Sequence, residues 1–269
     1  MQGPRIAASS YSNTAPLIWS FLYGSQHGKC ELILDNAPAR SAELLAQGRV
    51  DAALTPVAAF QTIEASRLVP GVCIGARERV RSVCLVTKGR PLKNVRSVAL
   101  DISSRTSVCL TKIVFREFLG FEPEWKPAEP DIDSMLSDSD CGLLIGDPAL
   151  RLAESTAAAA DTPFQVHDLA GLWNEHTGLG FIFAMWMDRG TQVPVEFAAV
   201  RDEGLAHIDE IAANYTEDIG TSAESLKRYL KENIIYAPDA SMLSGMELFF
   251  ELAFKNGLTD RNRPTGLTG

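Results

Sequence analysis

The chain has 269 residues, 46% of them hydrophobic and 22% charged, enough for one large cored domain or two small ones. A net charge of −9 argues against a general nucleic-acid binder, and no run approaches the ~18 to 20 apolar residues of a membrane span. Five scattered cysteines without a CxxC spacing indicate neither a disulfide framework nor a zinc site. MQGPRIAASSYS carries no basic-then-apolar leader pattern, so a cytoplasmic protein with reduced, buried thiols is expected.

In chain order, Arg5 to Ala8 reads as a strand, the polar SYSNTAP follows, and a helix spans about Thr14 to Tyr23. Glu31 to Asp35 is a second strand. Ser41 is placed to cap a helix through Gln47 that Gly48 stops. Val50 to Leu54 is a short buried strand ended by Thr55-Pro56, and strands at Val72 to Ile74 and Ser82 to Thr87 follow. The alternation favours a mostly parallel sheet. KGRPLKNV, residues 88 to 95, has the composition of a crossover between domains.

A fresh α/β unit begins after it. Ser97 to Leu100 is a strand, DISSRTS a polar loop, and Val108 to Leu119 an amphipathic helix. Strands are expected at Glu122 to Lys126 and Cys141 to Ile145, with a short helix at Asp131 to Leu136 between them. GDPAL opens a helix to about Ala153, and residues 155 to 163 read as a surface loop. Val166 to Leu169 and Phe181 to Trp186 close the unit and return the chain. The remainder is helical: from Pro194, over Ala206 to Tyr215, over Ala223 to Asn233, and over Leu243 to Asn256, with Gly257 as the stop and a frayed tail. The expected organisation is one lobe of residues 1 to 88 plus 187 to 269, with residues 89 to 186 inserted as a second. Ligands in such folds bind beyond the carboxyl ends of strands, here in the crevice between lobes.

SYSNTAP, SSRTS and GDPAL each follow a strand and open a helix. Free N–H groups and hydroxyls at helix N-termini favour anions, although ordinary capping uses the same residues. Between Arg77 and Arg105 there are eight basic residues against Glu78 and Asp101, a local +6 in an acidic chain, which suits a small anionic ligand. Arg105 lies inside a hydroxyl loop, where a guanidinium could grip a carboxylate with two parallel hydrogen bonds. There is no GxSxG, HExxH, GxGxxG or P-loop, and the four histidines show no ligand spacing, so no nucleophilic triad, metal or nucleotide cofactor is expected. An enzyme with this inventory orients a reactive substrate and stabilises developing charge.

SYSNTAPL, ERVRSVCL, DISSRTSVCL, LLIGDPAL, DLAGLWNEHTGLGFIFAMW and GMELFFELAFKNGL occur in the order found in the menaquinone-biosynthesis family of the futalosine route. The chain resembles that family over nearly its whole length, and most closely its chorismate dehydratase branch. Family members usually carry Leu where Ser12 stands, often a basic residue where Ala15 stands, and tend to have Pro where Gly180 stands. The sister cyclase branch has a PND-like N-terminal motif that this chain lacks. The resemblance implies a two-lobed α/β fold of the periplasmic-binding-protein type, and dehydration of chorismate to 3-[(1-carboxyvinyl)oxy]benzoate without cofactor or metal. Under it, Asn13 and Ser82 are expected to hydrogen-bond the substrate near the reacting carbons. Ser104, Arg105, Thr106 and Ser107 are expected to hold a carboxylate, and Ser10, Tyr11 and Thr14 to line the site. Asp147 either orients these groups or caps its helix, and Thr177 and Gly178 complete the far wall. The substrate's own enolpyruvyl carboxylate is the expected base. The alternatives are a cytosolic two-lobed module that binds a small aromatic or dicarboxylic acid, and the futalosine-derivative cyclase branch of the family. None of these readings involves nucleic acid or membrane, and a monomer or homodimer is expected.

Overall fold

The computed structural model describes residues 3–159, 161–190 and 193–267. Its first sheet is built from β1 (Arg5–Ser9), β2 (Glu31–Asp35), β3 (Ala52–Pro56) and β4 (Arg67–Ala76), with α1 (Ala15–Leu22) and α2 (Pro38–Ala46) as the first crossovers. The chain then builds a second sheet from β5 (Val83–Lys88), β6 (Ser97–Asp101), β7 (Glu124–Ala128), β8 (Cys141–Ile145) and β9 (Phe164–Asp168). Around it lie α3 (Thr106–Ile113), α4 (Ile132–Asp138), α5 (Gly146–Ala158) and α6 (Leu169–Thr177). Strand β10 (Phe181–Asp188) returns to the first sheet. The helices α7 (Phe197–Ala206), α8 (Ile208–Asn214), α9 (Thr216–Ile219), α10 (Ala223–Arg228) and α11 (Ala240–Lys255) complete the described chain.

The strand orders are β2-β1-β3-β10-β4 and β7-β6-β8-β5-β9. Strands β3 (AALTP) and β8 (CGLLI) are buried throughout, as central strands covered on both faces must be, and their apolar runs are what the sequence displays. Both sheets are mixed rather than mostly parallel. β10 runs antiparallel to β3 and β4, and β5 antiparallel to β8 and β9. The second lobe therefore begins at β5, not after residue 88, and ends before β10, not at residue 186. The crossovers are the segments 77–82 and 178–180, whereas KGRPLKNV links β5 to β6 within the second lobe through a 3-10 turn at Leu92–Asn94. An apolar strand such as VCLVT reads alike in either sheet, so only its pairing assigns it.

Other local differences have local causes. Pro38 begins α2 at a position where its missing N–H costs nothing, so Ser41 sits inside the helix, buried and with its hydroxyl unpaired, instead of capping it. The segment LAGLWNEHT, not foreseen as a helix, forms α6, capped by the Asp168 carboxylate on the Gly171 N–H. Helix α5 runs into the segment expected as a loop; residue 160 of that segment lies outside the described residues.

One apolar cluster runs through both lobes. Trp173 of α6 packs on Phe181 of β10 at 5.3 Å between ring centroids, and Phe181 on Phe249 of α11 at 5.2 Å. The tail is fastened rather than frayed up to Leu267, the last described residue. The Arg263 guanidinium lies 3.6 Å from the Phe60 ring centroid and donates to the Ser66 carbonyl at 3.0 Å, while Gln61 and Arg263 exchange side-chain-to-backbone bonds at 2.6 and 3.0 Å. Arg263→Ala is expected to lower unfolding free energy by about 1 to 3 kcal/mol in a denaturant titration; an unchanged midpoint would show the tail to be dispensable.

Candidate ligand cleft between the lobes

The carboxyl ends of β1, β3 and β4 face the carboxyl ends of β6 and β8 and the amino end of β5 across a cleft whose empty space, open solvent included, is about 520 Å³. The first lobe contributes Ser9, Tyr11, Asn13 and Thr14 from the β1–α1 corner, Pro38, Leu54, Thr55, Pro56, Ile74, Phe183 and Ala184. The second contributes Val83, Ser104, Thr106, Ser107, Ile145 and Gly146. Leu54, Ile74, Val83, Ile145 and Phe183 make the apolar part of its wall, and hydroxyls, one amide and one phenol make the polar part. Among the described residues no charged side chain lines it.

The hydroxyls are ordered by one another. Ser9 Oγ and Thr14 Oγ1 lie 2.9 Å apart, and Thr14 also donates to Asn13 Oδ1 at 3.4 Å. Ser104 Oγ accepts from the Ser107 N–H at 3.2 Å, which caps α3, and Thr106 Oγ1 accepts from the Ala58 N–H of the other lobe at 3.1 Å. A hydroxyl that accepts a hydrogen bond keeps its own proton to donate, so these groups present donors to an anion at the N-terminus of α3. Burial pushes the Tyr11 phenol up to about 12, against the opposing effect of the Ser103 hydroxyl, so it stays a neutral donor.

The two remaining helix-opening corners meet each other. Asp147, in the first turn of α5, reaches out of its own helix. Its carboxylate accepts from the Ser12 hydroxyl at 2.5 Å and from the Ser12 N–H at 3.1 and 3.2 Å. It thus caps the β1–α1 corner of the opposite lobe. Gly146 lets the corners approach. Its φ is +65°, and a Cβ there would stand 2.7 Å from the Tyr11 ring. Further contacts close the far sides, including Glu117 to Lys255 and Asn256, each at 2.7 Å, and Glu154 to Ser225 at 3.0 Å.

Of the residues expected at the site, Tyr11, Asn13, Thr14, Ser104, Thr106 and Ser107 share the cleft wall. The others do not line it. Ser10 turns away to Asn36 at 2.6 Å. The Arg105 guanidinium faces Glu43 at 3.5 Å, outside the lining. Thr177 and Gly178 end α6: the Thr177 hydroxyl donates to the Trp173 carbonyl at 2.7 Å and Gly178 takes the left-handed cap. Ser82 is fully buried behind the wall, with only a 3.5 Å contact to the Val80 carbonyl in regular geometry. The basic stretch does not converge on the cleft either. Arg77 pairs with Asp239, Arg81 with Glu154, Lys88 with Asp133 and Arg90 with Asp140. Thr55 went unrecognised, yet its side chain lines the cleft, fully buried and with its hydroxyl unpartnered. Its position at the carboxyl end of a buried strand was the available signal.

Two lobes joined by two crossovers around a cleft define a protein of periplasmic-binding-protein-like fold, with a pocket for a small ligand. More particularly, the chain belongs to the menaquinone biosynthesis family, whose model matches residues 4–255. A chorismate dehydratase of Thermus thermophilus is 32% identical over 214 residues, 74% of this chain and 78% of that protein. Among solved structures, a protein from Archaeoglobus fulgidus superposes with a TM-score of 0.68 at 17% identity, covering 95% of this chain and 98% of that one. The periplasmic aliphatic sulphonate binding protein of Escherichia coli gives 0.66 at 15% identity, covering 99% and 91%.

Two outcomes follow from the closed corners. Gly146→Ala is expected to destabilise the protein by about 1 to 3 kcal/mol in urea, because both the left-handed backbone and the Tyr11 ring oppose a Cβ; an unchanged midpoint would mean that the corners do not pack as closely. Burial holds the Asp147 carboxyl above its ordinary value, outweighing the Ser12 hydrogen bonds that lower it. The folded state therefore takes up a proton, and this group's contribution is greatest below its unfolded pKa of about 4 and is lost as pH rises through the raised value. The melting temperature of the unmodified protein relative to Asp147→Asn should rise as pH falls from 7 toward 4. A difference that stays flat or falls would contradict this.

Proposed function

We propose that the chain dehydrates chorismate to 3-[(1-carboxyvinyl)oxy]benzoate and water, as a cytoplasmic hydro-lyase in menaquinone biosynthesis. The family and the 32% identical chorismate dehydratase support the reading. The observation that carries it is a cleft whose wall joins apolar side chains, suited to a six-membered ring, with neutral hydroxyl and amide groups, suited to carboxylates.

In this reading the ring carboxylate sits at Ser104, Thr106 and Ser107, with Thr55 as a further hydroxyl. Asn13 faces the reacting carbons, and Ser82 acts from behind it. The ring carbon bearing the carboxyvinyl ether loses its proton to the substrate's own carboxyvinyl carboxylate. The electron pair spreads through the adjacent double bond onto the ring carboxylate, where the donors at α3 strengthen as charge builds. The neighbouring C–O bond then breaks, the departing hydroxyl takes up the proton as water, and the ring becomes aromatic. A cleft wall without a charged side chain agrees with a substrate that supplies its own base, and it holds that base at short range.

The same neutral wall suits a module that binds an aromatic dicarboxylate without turning it over. Incubation with chorismate, followed by ultraviolet absorbance and chromatography, separates the two. Loss of chorismate with appearance of the aromatic ether is expected, and Asn13→Ala or Ser82→Ala should each lower kcat by roughly 100-fold with a smaller change in KM. Saturable binding without product would select the module, and full activity in both variants would remove these residues from the mechanism.

A further inference from the structure

We infer that two buried tyrosines of the carboxyl-terminal segment, Tyr229 and Tyr236, are positioning residues that set the orientation of Asn13 and Ser82. The inference rests on the proposed dehydration and adds residues that none of the sequence motifs contains.

Asn13 belongs to the first lobe and Ser82 ends the first crossover, and neither side chain is fixed well by its own neighbourhood. The Asn13 amide oxygen receives only the 3.4 Å bond from Thr14, and Ser82 Oγ has only the 3.5 Å contact to Val80. Ser82 also follows Arg81, a non-glycine residue held at φ +62°. That conformation persists only where surroundings enforce it, and here the Asp168 carboxylate does so by accepting the Val80 and Arg81 N–H groups at 3.1 and 2.7 Å. A backbone held in a rare conformation to present a serine, whose hydroxyl then lacks a good partner, calls for a group that completes its orientation.

The segment from Tyr229 to Tyr236 supplies it. Tyr236 is 4% exposed, and its hydroxyl donates to the Asn13 carbonyl at 3.0 Å. The residue is itself tied to β4, through its own carbonyl to the Cys73 N–H at 3.0 Å and through Ile235, which exchanges two backbone bonds with Gly75 at 2.8 and 3.1 Å. Tyr229 is 1% exposed and opens a π-helical turn, Tyr229–Asn233, that continues α10. Such turns recur at functional sites because the extra residue re-aims a side chain. The Tyr229 hydroxyl makes no hydrogen bond of full geometry, although the Ser82 and Asn13 side chains lie against it and both favour its ionised form. Burial outweighs them and holds the phenol neutral, so it has a proton to donate to whichever of the two reorients on substrate binding. One tyrosine therefore fixes the Asn13 main chain, and the other faces the side chains of both residues.

Tyr229→Phe and Tyr236→Phe each remove a hydroxyl and keep the ring. Steady-state kinetics with chorismate is read together with the melting temperature, in the full chain and in the Ser82→Ala background. Each variant is expected to lower kcat roughly tenfold while KM stays within about twofold. The melting temperature of Tyr229→Phe should be unchanged or higher, because an unpaired buried hydroxyl is removed. In the Ser82→Ala background, Tyr229→Phe should cost clearly less than tenfold, since one of its two targets is gone. Full kcat in both variants overturns the inference. So does a loss confined to KM or to thermal stability, and so does a full tenfold loss that persists without Ser82. If the unmodified protein fails to turn over chorismate, the dehydratase reading falls and this inference with it; that result is read from the control alone and is not confused with a failure of the tyrosines.

Discussion

The buried contact between Asp147 and Ser12 is the constraint on which the rest of the site depends. A carboxylate that leaves its own helix to cap the first turn of the opposite lobe brings two helix N-termini to one point. With the N-terminus of α3 beside them, the cleft gathers hydroxyl side chains from both lobes at helix N-termini. Because Asp147 occupies the corner itself, its negative charge is spent on Ser12 and the wall of the cleft stays neutral. Gly146 and the Tyr11 ring make the approach close enough for this to happen.

That neutrality shapes the chemistry. A dianion between arginines would be bound tightly as a ground state, and a carbanion formed within it would gain little more. Hydroxyls and backbone donors at a helix terminus are weaker toward the resting carboxylate, and strengthen as the ring carboxylate takes up charge. Arg77, Arg81, Lys88, Arg90 and Arg105 of the 77 to 105 segment are instead paired with carboxylates outside the cleft lining. The lobes are held shut by contacts on several sides and by a core that passes through Trp173, Phe181 and Phe249.

Much of this was legible in the residues. The strands Glu31–Asp35 and Cys141–Ile145 fall where their apolar runs end, and the three helix-opening loops stand out by composition. Six expected site residues reach one cleft because the carboxyl ends of strands in an α/β fold share a face. What was hidden depended on pairing between distant segments. KGRPLKNV looked like a hinge because it is polar and contains Pro and Gly, but the hinge is ERVRS, fixed by the Asp168 carboxylate some 88 residues away from Val80. The sequence could not show that Arg105 points to Glu43, since the partner lies 62 residues off, nor that Tyr236 lies on Asn13, 223 residues earlier. Thr177 and Gly178 misled because a glycine after a polar residue serves a ligand wall and a helix cap equally well.

The most direct test of the account is a crystal structure with 3-[(1-carboxyvinyl)oxy]benzoate bound. The account places the ring on Leu54, Ile74 and Phe183, with one carboxylate at Ser104 to Ser107 and the ether side toward Asn13. Density for the molecule outside this cleft, or within it but with its carboxylates turned away from Ser104 to Ser107 to a charged side chain such as Arg105, would contradict the claim that neutral donors hold the dianion.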